Sequence, residues 1–324
     1  MEEQPVFQPL SFLRGGHRQT LAGHLARARL GWHHPSEDVV VEAPDEVQLL
    51  LRVSWQPGPR RERPALLLVH GLEGCDTSSY VLSTAEMAFR AGWHVIRMNL
   101  RGCGDSLRIC PRLYNAGVSE DLLAVLQWTA SAVQPVAVCG FSLGANLALL
   151  TLARHGEAVP RGVSAAVAVC PPLDLDACAE ALARPANRLY QTYFLRRLEA
   201  SYRNRRLLEP DRYPAKLDTR YRTIRDYDDA ITAPLSGYQG ATDYYARASA
   251  GPLLRSLDRF TLILSAADDP MIPVGSIRHW PLAPSVQHEI TPTGGHIGFV
   301  GRCRAPGYFW AAERTILYLQ QAVV

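Results

Sequence analysis

Four almost wholly apolar runs, Ala65–Val69, Pro135–Cys139, Val163–Cys170 and Phe260–Leu264, broken only by Ser164 and Thr261, recur along the chain with helix-length stretches between several of them. A strand with one wet face alternates apolar and polar residues, so a strand that is apolar at every position must be covered on both faces. Parallel strands meet that condition, because their crossovers lay helices on either side of the sheet. The pattern therefore predicts a mostly parallel, doubly wound α/β sheet. Further strands are expected at His94–Asn99 and Val286–Thr291, with an antiparallel pair, Asp38–Ala43 and Val47–Trp55, turning at Pro44-Asp45. Apolar spacing predicts helices from about Ser79 to Gly92, Gly117 to Ala132, Ala145 to Arg154 and Tyr308 to Gln321. With 324 residues, 47% of them hydrophobic, the chain can bury one large core, and residues 1–324 read as a single domain.

The pattern changes between Leu173 and Leu254, where strands stop, aromatics and arginines gather in helix-like stretches, and turn signals recur at Pro210, Pro214 and Pro234. Residues 173–254 are expected to form a helical cap inserted in the α/β domain. Arg196, Arg197, Arg203, Arg205 and Arg206 read as a solvated helix face, with an anion or lipid-surface site as the alternative. Leu189, Tyr190, Tyr193 and Phe194 fit an acyl pocket or ordinary core packing equally well. Residues 1–36 mix aromatics, Arg and His without a clear period, and Gly15–Thr20 marks a turn into a short helix.

Several classes are excluded by composition. A formal net charge of +3 with no alternation of basic and aromatic residues argues against nucleic acid. The seven cysteines are odd in number and scattered, with no CxxC pair, and read as reduced thiols; Cys139 and Cys170 fit small buried hydrophobes. No apolar run approaches ~18 residues, and the start Met-Glu-Glu-Gln-Pro lacks an apolar leader, so a soluble, cytoplasmic protein without a transmembrane segment is expected.

The chemistry centres on Gly140-Phe141-Ser142-Leu143-Gly144, set between an apolar strand and a helix. A serine in so tight a strand-to-helix turn needs small neighbours two residues away on each side, and its hydroxyl is lifted over the sheet edge beside a helix N-terminus. That hydroxyl needs a base and a group to orient the base. Asp268 and Asp269 follow Phe260–Leu264, and His296 follows the last strand after Gly294-Gly295. Counting from the strand end favours Asp269 as the acid, with Asp268 capping the turn; Asp268 as the acid remains open. His279 and His288 are competing bases without glycines beside them. A histidine base implies falling activity below about pH 6. The oxyanion would be met by the backbone amides of Leu143 and of Leu72, the latter in the His70-Gly71-Leu72-Glu73-Gly74 turn.

With these residues in view, the chain resembles the YheT-like branch of the α/β-hydrolases (AB hydrolase family 4), which includes embryogenesis-associated hydrolases of plants and lipid-active members in animals. The resemblance rests on Gly16-His17-Arg18-Gln19-Thr20, the His70–Gly74 turn, Asn99-Leu100-Arg101-Gly102-Cys103, Tyr114-Asn115-Ala116-Gly117, the serine pentapeptide, Asp243-Tyr244-Tyr245, Ala267-Asp268-Asp269-Pro270 and Gly294–Phe299. It implies a Ser142, Asp269, His296 triad and esterase or phospholipase-type activity on acyl esters. Two departures bear on substrate preference: Asn115-Ala116 stands where His-Ser is usual, and Arg18 where an apolar residue is common. Animal members carry an N-terminal membrane anchor, and none is expected here, since the sequence opens on Met-Glu-Glu-Gln-Pro with no apolar run behind it.

The expected function is a serine hydrolase of short- to medium-chain or lipid-like acyl esters, with a small-molecule ester as substrate and no metal or organic cofactor implied. Thioesterase or acyltransferase chemistry on the same residues is an alternative, as is a non-catalytic hydrolase-like scaffold that binds a ligand.

Overall fold

The computed structural model describes residues 6–25, 30–214 and 221–323. The N-terminal pentapeptide and residues 215–220 of the segment expected to cap the site lie outside the described residues. No helix among the described residues is long and apolar enough to cross a membrane.

Eight strands form one sheet: β1 (Glu37–Ala43), β2 (Val47–Ser54), β3 (Ala65–Val69), β4 (His94–Met98), β5 (Val136–Phe141), β6 (Val163–Val169), β7 (Phe260–Ala266) and β8 (Val286–Thr291). Their order across the sheet is β1-β2-β4-β3-β5-β6-β7-β8. β2 runs antiparallel to both β1 and β4, and every other neighbouring pair is parallel. All residues of β3, β4 and β5 are buried, as doubly covered parallel strands must be. Leu66, Leu67 and Leu68 project to alternate faces, and burial of each stabilises the fold by about 1.5–3 kcal/mol.

The helices are α1 (Gly16–Leu25), α2 (Ser79–Arg90), α3 (Ser119–Ala132), α4 (Leu143–His155), α5 (Leu175–Ala183), α6 (Arg188–Leu208), α7 (Ile224–Tyr227), α8 (Ala233–Leu235), α9 (Ala241–Ala248), α10 (Val274–Arg278) and α11 (Trp310–Ala322). α2 packs with α11, and α3 packs with α4, giving the sheet its two helical layers. α5 to α9 all fall between β6 and β7. A π-helical turn, Asp228–Thr232, joins α7 to α8. Pro234 does not mark a loop there; it lies in the first turn of α8, where a missing N–H costs nothing.

The arginines of α6 do not form one solvated face. Arg196, Arg203 and Arg206 are exposed, but Arg205 is fully buried and donates to the carbonyls of Gly102 (2.8 Å) and Arg112 (3.2 Å) and to the Ser201 hydroxyl. Arg197 is half-buried and donates to the Glu73 carbonyl at 2.5 Å. A guanidinium carries five donors, so it can enter a loop interior where carbonyls are otherwise unpaired.

After β4 the chain is pinned by another buried pair. Arg101 grips Asp121 of α3 with two nitrogens, Nε to Oδ2 at 2.7 Å and Nη2 to Oδ1, and the Asp121 side chain has no solvent exposure. Removing one partner of such a pair leaves an uncompensated buried charge. Arg101→Ala is therefore expected to lower unfolding stability by about 3–5 kcal/mol, read from the denaturation midpoint at unchanged slope.

Candidate active site

β5 ends at Phe141 and α4 begins at Leu143, so Ser142 alone makes the turn between them. Its backbone sits at φ 50°, ψ −120°, a conformation that L-residues adopt only under constraint. The constraint is steric. A Cβ on Gly140 would fall 2.2 Å from the Gly144 carbonyl oxygen, and one on Gly144 would fall 2.3 Å from the His70 carbonyl oxygen. Strand, helix and neighbouring turn thus close on one another at two positions that tolerate no side chain.

Ser142, Asp269 and His296 lie together where β5, β7 and β8 end. His296 Nε2 is 2.9 Å from Ser142 Oγ, and His296 Nδ1 is 2.8 Å from Asp269 Oδ2. The other Asp269 oxygen, Oδ1, accepts from the amides of Met271 (2.8 Å) and Ile272 (3.0 Å). The Asp269 and His296 side chains are only 2% and 9% exposed, so little water competes for these bonds. Asp268 faces elsewhere: its Oδ1 accepts from the Gly295 amide (2.9 Å) and its Oδ2 from the Thr293 hydroxyl (2.6 Å). It ties the histidine loop to the end of β7 and does not cap its own turn, as the sequence reading had it.

His279 and His288 are not near Ser142. His279 Nδ1 bonds within its own turn to the Gly275 carbonyl, and His288 lies in β8 beside Ser265, where burial lowers its pKa to about 4.

The turn after β3 is held on each side. His70 is wholly buried; its Nε2 accepts from the Leu100 amide at 3.1 Å, so its Nδ1 carries the proton and donates to the Gly71 carbonyl at 2.8 Å. Burial lowers its pKa to about 4, which keeps it neutral. The Gly71 amide donates to the Tyr80 hydroxyl (3.0 Å) and the Glu73 amide to the Tyr114 hydroxyl (2.7 Å). The Tyr114 hydroxyl donates in turn to Glu73 Oε1 (3.0 Å), and burial raises the Glu73 carboxyl above its ordinary range. Glu73 itself stands at φ 54°. Among the described residues no acceptor meets the Leu72 or Leu143 amide. Sequence reasoning had no signal for the parts played by His70, Tyr114 and Arg197, because each acts across 30 to 124 residues of chain.

Cys170 is more than the small hydrophobe expected. It is buried at φ 50° at the end of β6, and its sulfur lies 3.5 Å from the Ile297 amide and 3.8 Å from the Gly295 carbonyl. Burial, then the neighbouring Asp269 charge, raises its pKa far enough to keep it a thiol. Cys170, Asp269 and His296 are the one group of possible metal donors among the described residues, within 4.8 Å of one another, and two of the three are already hydrogen-bonded together.

Two cavities meet at Ser142 and His296. The outer, about 290 Å³, runs between α1 and α6 and is walled by Leu21, His24, Leu189, Tyr190 and Tyr193. The inner, about 110 Å³, lies beneath α5 to α9 and is walled by Leu143, Leu175, Leu182, Leu198 and Ile224. Leu72, Phe194 and Met271 face both. Leu189, Tyr190, Tyr193 and Phe194 all line the outer cavity, and of these Tyr190 and Phe194 also pack in the core. Of Asp243-Tyr244-Tyr245 the two tyrosines shape the inner wall: the Tyr244 hydroxyl accepts from the Ala116 amide (2.8 Å), and the Tyr245 hydroxyl donates to buried Asp228 (2.7 Å). Burial raises the Asp228 pKa to about 6.

A family model described as the alpha/beta hydrolase fold matches residues 64–302. YheT of Escherichia coli is 33% identical over 95% of this chain and 91% of its own length. The phospholipase ABHD3 of Mus musculus is 32% identical over 74% of this chain, which spans 59% of the mouse protein. Among solved structures, the Pyrococcus furiosus esterase Pf2001 superposes with a TM-score of 0.58 over 91% of this chain and 97% of its own, at 16% identity, a likeness of fold alone. Matched by that model from β3 to β8 and by YheT along nearly its whole length, the chain belongs to the α/β-hydrolase family, in its YheT-like branch.

Proposed function

We propose that this chain is a serine-dependent carboxylic ester hydrolase that works through an acyl-enzyme. The observation that carries the reading is the continuous hydrogen-bonded line from Asp269 through His296 to Ser142, on a serine held at positive φ. Ser142 Oγ attacks the ester carbonyl as its proton passes to His296 Nε2, while Asp269 holds the Nδ1 proton and offsets the imidazolium charge. The Leu72 and Leu143 amides receive the oxyanion. Collapse of the tetrahedral intermediate breaks the bond to the alcohol, which takes the proton from His296. Water, deprotonated by the same nitrogen, then cleaves the acyl-enzyme to the acid and restores Ser142.

Residues 173–254 act as a cap in this reading, with the apolar inner cavity taking the acyl chain and the outer cavity the alcohol or head group. The small inner volume favours short to medium acyl chains, and the phospholipase named among the relatives favours lipid-like esters. The test is a p-nitrophenyl ester series from acetate to palmitate, run before and after stoichiometric labelling with a fluorophosphonate. An optimum at one chain length is expected, with turnover abolished once the label is found on the Ser142 peptide. Turnover that survives full labelling of Ser142, or no turnover of any ester with Ser142 unlabelled, sinks the proposal.

A further inference from the structure

Gly16-His17-Arg18-Gln19-Thr20 has no part in the chemistry above, yet α1 buries a stripe of residues at i, i+3, i+4 and i+7: Gly16, Gln19, Thr20 and Gly23. The stripe contains no large apolar side chain, so packing is not what it supplies. It faces the loop that carries His296. Gln19 treats Val300 as a neighbouring strand would, its Nε2 donating to the Val300 carbonyl (3.0 Å) and its Oε1 accepting from the Val300 amide (2.7 Å). Thr20 Oγ1 donates to the Gly16 carbonyl (2.7 Å) and accepts from the His296 amide itself (2.9 Å). The small residues permit the approach: a Cβ on Gly23 would lie 3.0 Å from Gly298 Cα, and one on Gly16 would overlap the Asp268 carbonyl.

The loop needs such support. Gly295, Ile297 and Phe299 all lie at positive φ, at 59°, 52° and 42°, and a β-branched residue such as Ile297 is strained there. Strained backbone persists only where its surroundings over-determine it. Thr20 holds this stretch by one bond at His296, and Gln19 holds its far end by two at Val300.

We infer that the Gly16–Gly23 face of α1 is a positioning element for His296, with Thr20 and Gln19 fixing the strained loop so that the imidazole stays in line between Asp269 and Ser142. The inference rests on the triad reading above. A misplacement near 1 Å at a reacting group costs on the order of 100-fold in rate, so a lost loop bond is read in kcat.

Thr20→Val keeps the side-chain shape and removes the acceptor; Thr20→Ser keeps the acceptor. For Thr20→Val, kcat on the preferred p-nitrophenyl ester is expected to fall about 30- to 100-fold with KM within twofold. Its fluorophosphonate labelling rate should fall in parallel, while Thr20→Ser stays within threefold of wild type. Gln19→Met, which removes both Val300 bonds, should show the same division between kcat and KM and provides the readout if Thr20→Val does not fold. A folded Thr20→Val or Gln19→Met with kcat within threefold of wild type, or a Thr20→Ser as impaired as Thr20→Val, overturns the inference. Ser142→Ala assayed alongside separates the two readings: full activity there removes the triad and this inference together. Loss there beside an unimpaired Thr20→Val removes this inference alone.

Discussion

Ser142→Ala is expected to lower kcat for ester hydrolysis by about 10⁶-fold while leaving KM within a few-fold, the scale seen when a nucleophile is deleted from such a unit. The size follows from how much converges on one oxygen. In the proposed mechanism every proton that His296 moves belongs to a step that begins with attack by Ser142 Oγ, so its removal leaves Asp269 and His296 with no step to serve. Binding is spared because the walls of the two cavities are built from other residues, Leu72, Phe194 and Met271 among them. Whatever residual rate remains belongs to the Leu72 and Leu143 amides and to substrate orientation, together worth about 10³-fold over water. The measurement is steady-state kinetics on protein whose wild-type content has been bounded by fluorophosphonate titration. A variant retaining more than about 1% of kcat contradicts a serine nucleophile.

Asp269→Asn should lower kcat by about 10⁴-fold, and the hydrogen bonds around it say why. Oδ1 of Asp269 faces two amide donors, Met271 and Ile272, so the asparagine must keep its oxygen there. Its NH₂ group is then turned toward His296 Nδ1. A donor at that position forces the imidazole into the opposite tautomer, with its proton on Nε2, and a protonated Nε2 cannot accept from Ser142. Asp268→Asn makes the control. Its oxygen can still accept from Gly295 while its NH₂ donates to a rotated Thr293 hydroxyl, so a loss of no more than about tenfold is expected. The reverse ranking, measured side by side at one pH, would move the acid to Asp268.

How much of this was legible in the sequence depended on whether the information was local. The four apolar runs are readable because doubly covered strands leave few polar positions to disguise them, and β3, β5, β6 and β7 occupy those runs with ends displaced by at most two residues. Ser142 and His296 each carry a local mark, flanking glycines at the end of a strand. The acid carries a weaker mark, its distance from the strand end, and its contacts are local too: Asp269 accepts from the amides two and three residues on, whereas Asp268 bonds across to residues 25 and 27 positions away. The short helix after Gly15 was legible, but its buried face was not, because that stripe is Gly, Gln, Thr and Gly and carries no apolar side chain to mark it. Arg205 escaped for a related reason: a charge in a sequence reads as solvent, and the Gly102 and Arg112 carbonyls that draw it inward lie about a hundred residues upstream.

The bond from Arg197 to the Glu73 carbonyl makes α6 a mechanical part of the turn that presents the Leu72 amide. α6 also walls the outer cavity through Leu189, Tyr190 and Tyr193, the side that the proposed mechanism gives to the alcohol or head group. One helix thus both walls that cavity and anchors the turn. A displacement of α6 large enough to break the bond would free the Glu73 carbonyl and, with it, the peptide that the mechanism assigns to the oxyanion. An ester bulky enough to push on α6 would therefore bear on that peptide as well.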